Sequence, residues 1–168
     1  VIYDLMAPRD FPALSKTPRE PLIIPEPTAL VVFETQNIIV RPSGGDAAPS
    51  ALNAQWSDSL PKLVQAKLIE SFENSNYLRG VGRPAEGLTA DFQLLIDIRS
   101  FQVSMAQEPV AIVELAAKIM GKGRMIQLRV FRASVKVGSA DAAVAAAALN
   151  EAFGKVAAEL VPWASGSL

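Results

Sequence analysis

From Asp91 to Val137 the chain repeats one pattern three times, and that pattern leaves few folds open. Phe92, Leu94, Ile96 and Ile98 alternate with Asp91, Gln93, Asp97 and Arg99, the period of two that a strand with one wet face imposes. After Arg99 the apolar parity moves to Phe101 and Val103, which predicts a β-bulge near Ser100. In Val110 to Met120, one face carries Ala111, Val113, Leu115, Ala117 and Ile119, and the other Glu114 and Lys118. Gly121-Lys122-Gly123 predicts a tight hairpin into Met125 to Val137. There Ile126, Leu128 and Val130 alternate with Gln127 and Arg129 before parity shifts again to Phe131, Ala133 and Val135. Long strands joined by short turns form an antiparallel meander, and its apolar face needs a cover.

Two segments supply that cover. Leu60, Leu63, Val64, Leu68 and Phe72 recur at three and four, with Asp58 and Ser59 placed to cap and Pro61 in the first turn, so a helix follows Ser57 and ends near Asn74-Ser75-Asn76. A second helix spans Ser139 to Trp163, with Leu149, Phe153, Val156, Leu160 and Trp163 on its stripe and alanines that allow close approach to a sheet. Ala29 to Phe33 reads as a buried strand, Asn37 to Arg41 as another, and Tyr77 to Val81 as a strand closing a right-handed βαβ crossover around the first helix. Val1 to Leu5 reads as a short paired strand. Six prolines before residue 28 make residues 7–27 an extended strap, and residues 42–57 read as a flexible loop opening on Pro42-Ser43-Gly44-Gly45-Asp46. The expectation is a single α+β domain over residues 1–168, with a mixed, mostly antiparallel sheet and two main helices.

Composition narrows the chemistry. The chain has 168 residues with no histidine and no cysteine, which removes Ser-His and Cys-His pairs, thiol nucleophiles, disulfides and the usual zinc ligands. Sixteen lysines and arginines against seventeen aspartates and glutamates leave a net charge of −1, giving the whole chain no electrostatic footprint for nucleic acid or an anionic membrane surface. No uncharged apolar run reaches the roughly 18 residues that span a bilayer. Val1-Ile2-Tyr3 opens the chain without an initiator methionine or a signal peptide, which reads as a chain whose targeting segment has been removed.

Few side chains invite a functional reading. Gly80-Val81-Gly82 and Gly121-Lys122-Gly123 resemble phosphate loops, but neither precedes a helix, so both read as turns. Asp91, Asp97 and Glu114 could gather on one sheet face for hydrolysis or a hard cation; solvated positions opposite a buried face explain them without chemistry. Trp56 and Trp163 stand at helix boundaries, where an indole is either a satellite of the core or a partner anchor. Arg41 and Arg99 end apolar runs and could clamp a carboxylate or a lipid head group, or keep a strand edge soluble. The candidate docking set is Arg41, Trp56 and Arg99, beside the polar segment from Pro42 to Ser57; no catalytic residue, metal ligand or cofactor is assigned.

The order of motifs carries a resemblance. Asn37-Ile38-Ile39-Val40-Arg41, Gln55-Trp56-Ser57-Asp58-Ser59-Leu60-Pro61, Leu63 to Leu68, and Ser71-Phe72-Glu73-Asn74-Ser75 are followed by Ala90 to Leu94, Asp97 to Phe101, and Ala148 to Phe153 with a closing Trp163. This series resembles the ABC-type transport auxiliary lipoprotein family, which includes the paraquat-inducible protein C lipoproteins. The resemblance implies a fold similar to the amino-terminal domain of TolB and to anticodon-binding domains. It also implies a periplasm-facing lipoprotein of the Gram-negative envelope, usually held in the outer membrane through an acylated cysteine that this chain does not contain. The implied partners are an MCE-domain protein with an ABC permease and ATPase, in systems moving phospholipid or other hydrophobic molecules between the membranes. A non-catalytic docking role follows, with self-association into a homo-oligomer compatible with it. The alternatives are a small periplasmic ligand-binding protein and a carboxylate-dependent enzyme.

Overall fold

A thirteen-residue strand organises the molecule, because it pairs along both edges. The computed structural model describes residues 1–14, 18–42, 50–139 and 141–168. In chain order its strands are β1 (Ile2–Tyr3), β2 (Leu22–Ile23), β3 (Thr28–Ala29), β4 (Asn37–Arg41), β5 (Ser50–Trp56), β6 (Val81–Gly82), β7 (Phe92–Ser104), β8 (Val110–Gly121) and β9 (Arg124–Lys136). Helix α1 covers Leu60–Ser75 and helix α2 Ala142–Gly166. Together they form one α+β domain, two helices on a large curled mixed sheet.

The meander forms as the alternation requires. β7 pairs antiparallel with β8 from Phe92↔Gly121 to Ser104↔Val110, and β8 with β9. The expected bulge is present, the register slipping between Ile98 and Ser100 so that Arg99 is the extra residue. Lys122 (φ 52°) and Gly123 (φ 79°) are both left-handed, the mark of a type I′ hairpin turn.

The other edge of β7 is taken by the amino-terminal strap. β2, β3 and β4 pair with it in succession and in parallel, through Leu22↔Phe92, Thr28↔Asp97 and Ile39↔Gln102. Residues 22–41 thus follow β7 as one broken strand, interrupted where Pro25 and Pro27 lack ladder donors and where Val31–Phe33 turn into a short 3-10 helix. The expected strand over Ala29 to Phe33 is therefore corrected: Phe33 is buried, but Leu30 and Val31 stand in solvent. Tyr77 to Val81 also differs from expectation. Gly80 and Gly82 accept hydrogen bonds from the Leu22 and Ile24 amides, so β6 pairs with β2 and not beside β4. The strand after α1 that lies parallel to β4 is β7.

Residues 42–57 require a further correction. Ser50–Trp56 form β5, antiparallel to β4 and parallel to β1, because partners on both sides satisfy the backbone that a polar sequence suggested would be loose. Residues 43–49 lie outside the described residues.

The helices cover one face. There Leu94, Ile96, Ile98, Phe101 and Val103 of β7 meet Ala111, Val113, Leu115, Ala117 and Ile119 of β8, all at most 3% exposed. α2 lays Leu149, Phe153, Val156 and Leu160 on them, and small Ala145, Ala152 and Ala157 set the close approach. Its amino end is capped by the Asp141 carboxylate, which accepts from the Val144 amide at 3.4 Å. α1 buries Leu60, Leu63, Val64, Leu68 and Phe72 and ends at Asn76 in the left-handed conformation. The strap is tied to its carboxy end: Asn74 Nδ2 donates to the Pro8 carbonyl at 2.9 Å, and the Tyr77 hydroxyl donates to that of Pro12.

Candidate functional site

The face of the sheet turned away from the helices is half polar and half apolar. Cross-strand register sets Leu95, Lys118 and Leu128 in one row, Asp97, Ala116 and Val130 in the next, and Ser100, Glu114 and Arg132 beyond them. Leu95, Leu128 and Val130 are 36%, 51% and 43% exposed. Of the apolar residues that alternate in the first half of β9, Leu128 and Val130 thus stand on the wet face, and Ile126 is also exposed. In β9 the apolar residues change faces: Leu128 and Val130 point outward, and from Phe131 the inward positions are the apolar ones. The β8–β9 register shift lies earlier, opposite Ile119 and Met120.

Beside this strip, the strap and the sheet enclose a groove of about 390 Å³, open to solvent along one side. Pro25, Glu26 and Thr28 form its strap wall and Leu95, Asp97, Ala116 and Lys118 its floor, with Arg99 projecting from the bulge at one end. Thr28 Oγ1 donates to Asp97 Oδ1 at 2.7 Å and Arg99 Nε lies 3.7 Å from Asp97 Oδ2. Asp97 therefore joins strap, sheet and arginine. An open floor that mixes Leu95 and Ala116 with Asp97 and Lys118 suits a protein segment or an amphiphilic chain better than a small polar substrate.

The carboxylates do not converge. Asp91 and Asp97 stand six residues apart, about 20 Å along an extended strand, and Glu114 faces Arg132 Nη1 at 3.5 Å. No group of three carboxylates able to hold a metal ion occurs among the described residues. The glycine pairs serve as turn and pairing positions, neither at the start of a helix.

Of the three sequence candidates for docking, only Arg99 belongs to the groove. Arg41 is exposed at the end of β4 and pairs with Ser104, five residues and about 17 Å beyond Arg99 along β7. Trp56 is corrected from surface anchor to core residue. It is 1% exposed and edge-on to Phe101 at 5.8 Å, with Phe101 in turn 6.4 Å from Phe153. β5 turns the indole into the core toward β7 and α2, where no partner reaches it. Trp163 packs edge-on against Phe131 at 5.3 Å. Leu95 was the missed signal, an apolar residue where the alternation of β7 calls for a polar one.

Known proteins share this architecture. The family model for the ABC-type transport auxiliary lipoprotein component matches residues 3–161. An uncharacterised protein of Bradyrhizobium diazoefficiens is 38% identical over 164 residues; the alignment covers 97% of this chain and 44% of that protein, so the chain spans under half of its relative. The crystal structure of a DUF330 protein from Xanthomonas campestris superposes with a TM-score of 0.89 at 27% identity, over 99% of this chain and 95% of that one. The PelC dodecamer of Paraburkholderia phytofirmans shares the fold at a TM-score of 0.54 and 9% identity, over 91% and 93% of the two chains. With its order of motifs and its fold both matched nearly end to end, the chain belongs to the ABC-type transport auxiliary lipoprotein component family.

Proposed function

We propose that this domain is the periplasm-facing docking module of an outer-membrane lipoprotein serving an MCE-type ABC transport system. It helps assemble a path for phospholipid or other hydrophobic molecules between the membranes, while ATP hydrolysis elsewhere drives transport. The observation that carries the reading is the groove between strap and sheet with its exposed apolar border, Leu95, Leu128 and Val130. The helix-covered side is filled by side chains, which favours a docking surface over a lipid-holding interior. Arg99 flanks the docking groove and Arg41 extends the surface along the sheet; the role is non-catalytic and needs no cofactor. Self-association belongs to the same proposal, since the structurally similar PelC is a dodecamer, and light scattering decides it.

The test is binding of a purified MCE-domain partner to the wild-type chain and to Leu95→Asp and Arg99→Asp, with Glu159→Lys on the exposed side of α2 as control. The reading expects the two groove variants to lose at least tenfold in affinity and the control to bind normally. Equal binding by all three overturns it. A native mass spectrum showing phospholipid held by the isolated domain would replace docking with carriage.

A further inference from the structure

The near-neutral total charge conceals a local extreme. Between Leu115 and Ser139 the chain carries Lys118, Lys122, Arg124, Arg129, Arg132 and Lys136 and no carboxylate, so the remainder holds a net −7 against −1 for the whole. Arg132 faces Glu114 at 3.5 Å and Lys136 faces Glu108 at 3.8 Å. Among the described residues, Lys118, Lys122, Arg124 and Arg129 have no carboxylate within 4 Å. Arg129 lies over the Phe131 ring at 4.7 Å.

These cations stand among exposed apolar side chains. Nine successive residues, Lys122 to Val130, are all exposed, and in a strand, where neighbours point to opposite faces, that means both faces are wet. The turn and the first half of β9, the outer arm of the hairpin, therefore lie outside the helix cover, while Ala117, Ile119 and Gly121 opposite them on β8 stay buried. Met125 is 53% exposed, Leu128 51% and Ile126 37%. A cleft in a protein partner would take one face of such a hairpin. A fluid bilayer takes both, with apolar side chains among the acyl chains and lysine and arginine at the phosphates.

We propose that the free end of the β8–β9 hairpin, Lys122 to Arg129, binds a bilayer surface rich in anionic phospholipid. The contact goes beyond the docking reading and does not depend on it, since Lys122, Arg124, Met125 and Ile126 lie outside the groove and its border and only Leu128 is shared. The test is sedimentation of the 168-residue chain with vesicles of phosphatidylglycerol mixed into phosphatidylcholine, against vesicles of phosphatidylcholine alone. Lys122→Gln combined with Arg124→Gln is expected to lower partitioning roughly thirty-fold, from about 1 kcal/mol per cation at a charged surface and 1.4 kcal/mol per tenfold. Met125→Ser with Leu128→Ser is expected to abolish the binding that survives high salt. All four side chains are exposed, so the unfolding midpoints should match wild type. Equal binding to both vesicle types, no binding to either, or no effect of the paired glutamine changes overturns the proposal. So does comparable binding of polyglutamate that ignores the serine changes, because a surface of charge alone would then suffice.

Discussion

Replacing Trp56 with alanine separates the two roles a tryptophan at that position could have. The side chain is 1% exposed and stands edge-on to Phe101 at 5.8 Å and 88°, and Phe101 leans on Phe153 of α2. The indole thus links β5, β7 and α2 through one aromatic column. Truncation removes its transfer energy and leaves a cavity that packed neighbours fill only in part, a loss of about 3–5 kcal/mol. In a domain of this size each kcal/mol moves Tm by roughly 2–4 °C, so the expected fall is about 6–20 °C. Trp56→Phe retains a ring and should lose about 1–2 kcal/mol, as partial core truncations do. Arg99→Ala, on the surface, should stay within about 0.5 kcal/mol of wild type. Thermal unfolding followed by circular dichroism gives the order, and partner binding is measured at a temperature where every variant is folded. An unchanged Tm for Trp56→Ala with a loss of partner binding would refute the packing argument and restore the indole as an anchor.

Other sites give sharper local tests. A Cβ on Gly121 would lie 2.6 Å from Phe92 Cδ1 and 2.7 Å from Ile126 Cδ1, so Gly121→Ala should destabilise by about 1–3 kcal/mol through overpacking; an unaltered urea midpoint would show that the hairpin yields freely. Asp141→Ala removes the cap on Val144 and should cost about 1 kcal/mol, read as a lower denaturant midpoint with unchanged steepness. Burial raises the Tyr77 pKa above the ordinary tyrosine value, which ties folding to the neutral phenol. That contribution is complete below the unfolded pKa of about 10 and is lost as pH rises from there through the raised folded value. Tyr77→Phe should therefore be less stable at neutral pH, through loss of the hydrogen bond to Pro12, yet less sensitive to alkali; parallel pH profiles for the two proteins would contradict this.

The meander was legible because period-two alternation and a type I′ turn are local signals, and even the bulge at Arg99 showed in the slip from Ile98 to Phe101. The helices were legible for the same reason. What the sequence hid is pairing between distant segments. Leu22, Thr28 and Ile39 dock in turn on β7, and nothing in a proline-rich stretch states which strand it will follow. Ala29 to Phe33 has strand composition throughout, but the ladder stops at Ala29 and the chain turns out at Val31. Ser50 to Trp56 looked loose because its partners, β1 and β4, lie elsewhere in the chain. At the site, Arg99 could be picked out as the residue ending an apolar run, whereas Trp56 misled because composition does not give the direction of an indole. In β9 the alternation of Leu128 and Val130 names two faces without saying which is wet, and the pairing with β8 decides it.

Photo-cross-linking tests the docking claim most directly. A benzophenone side chain placed at Leu95 in the groove, or at Glu159 on α2, is irradiated with an MCE-domain partner present. A covalent adduct to the partner is expected from position 95 and none from position 159. Adducts from position 159 alone would place the interface on the helices and contradict it.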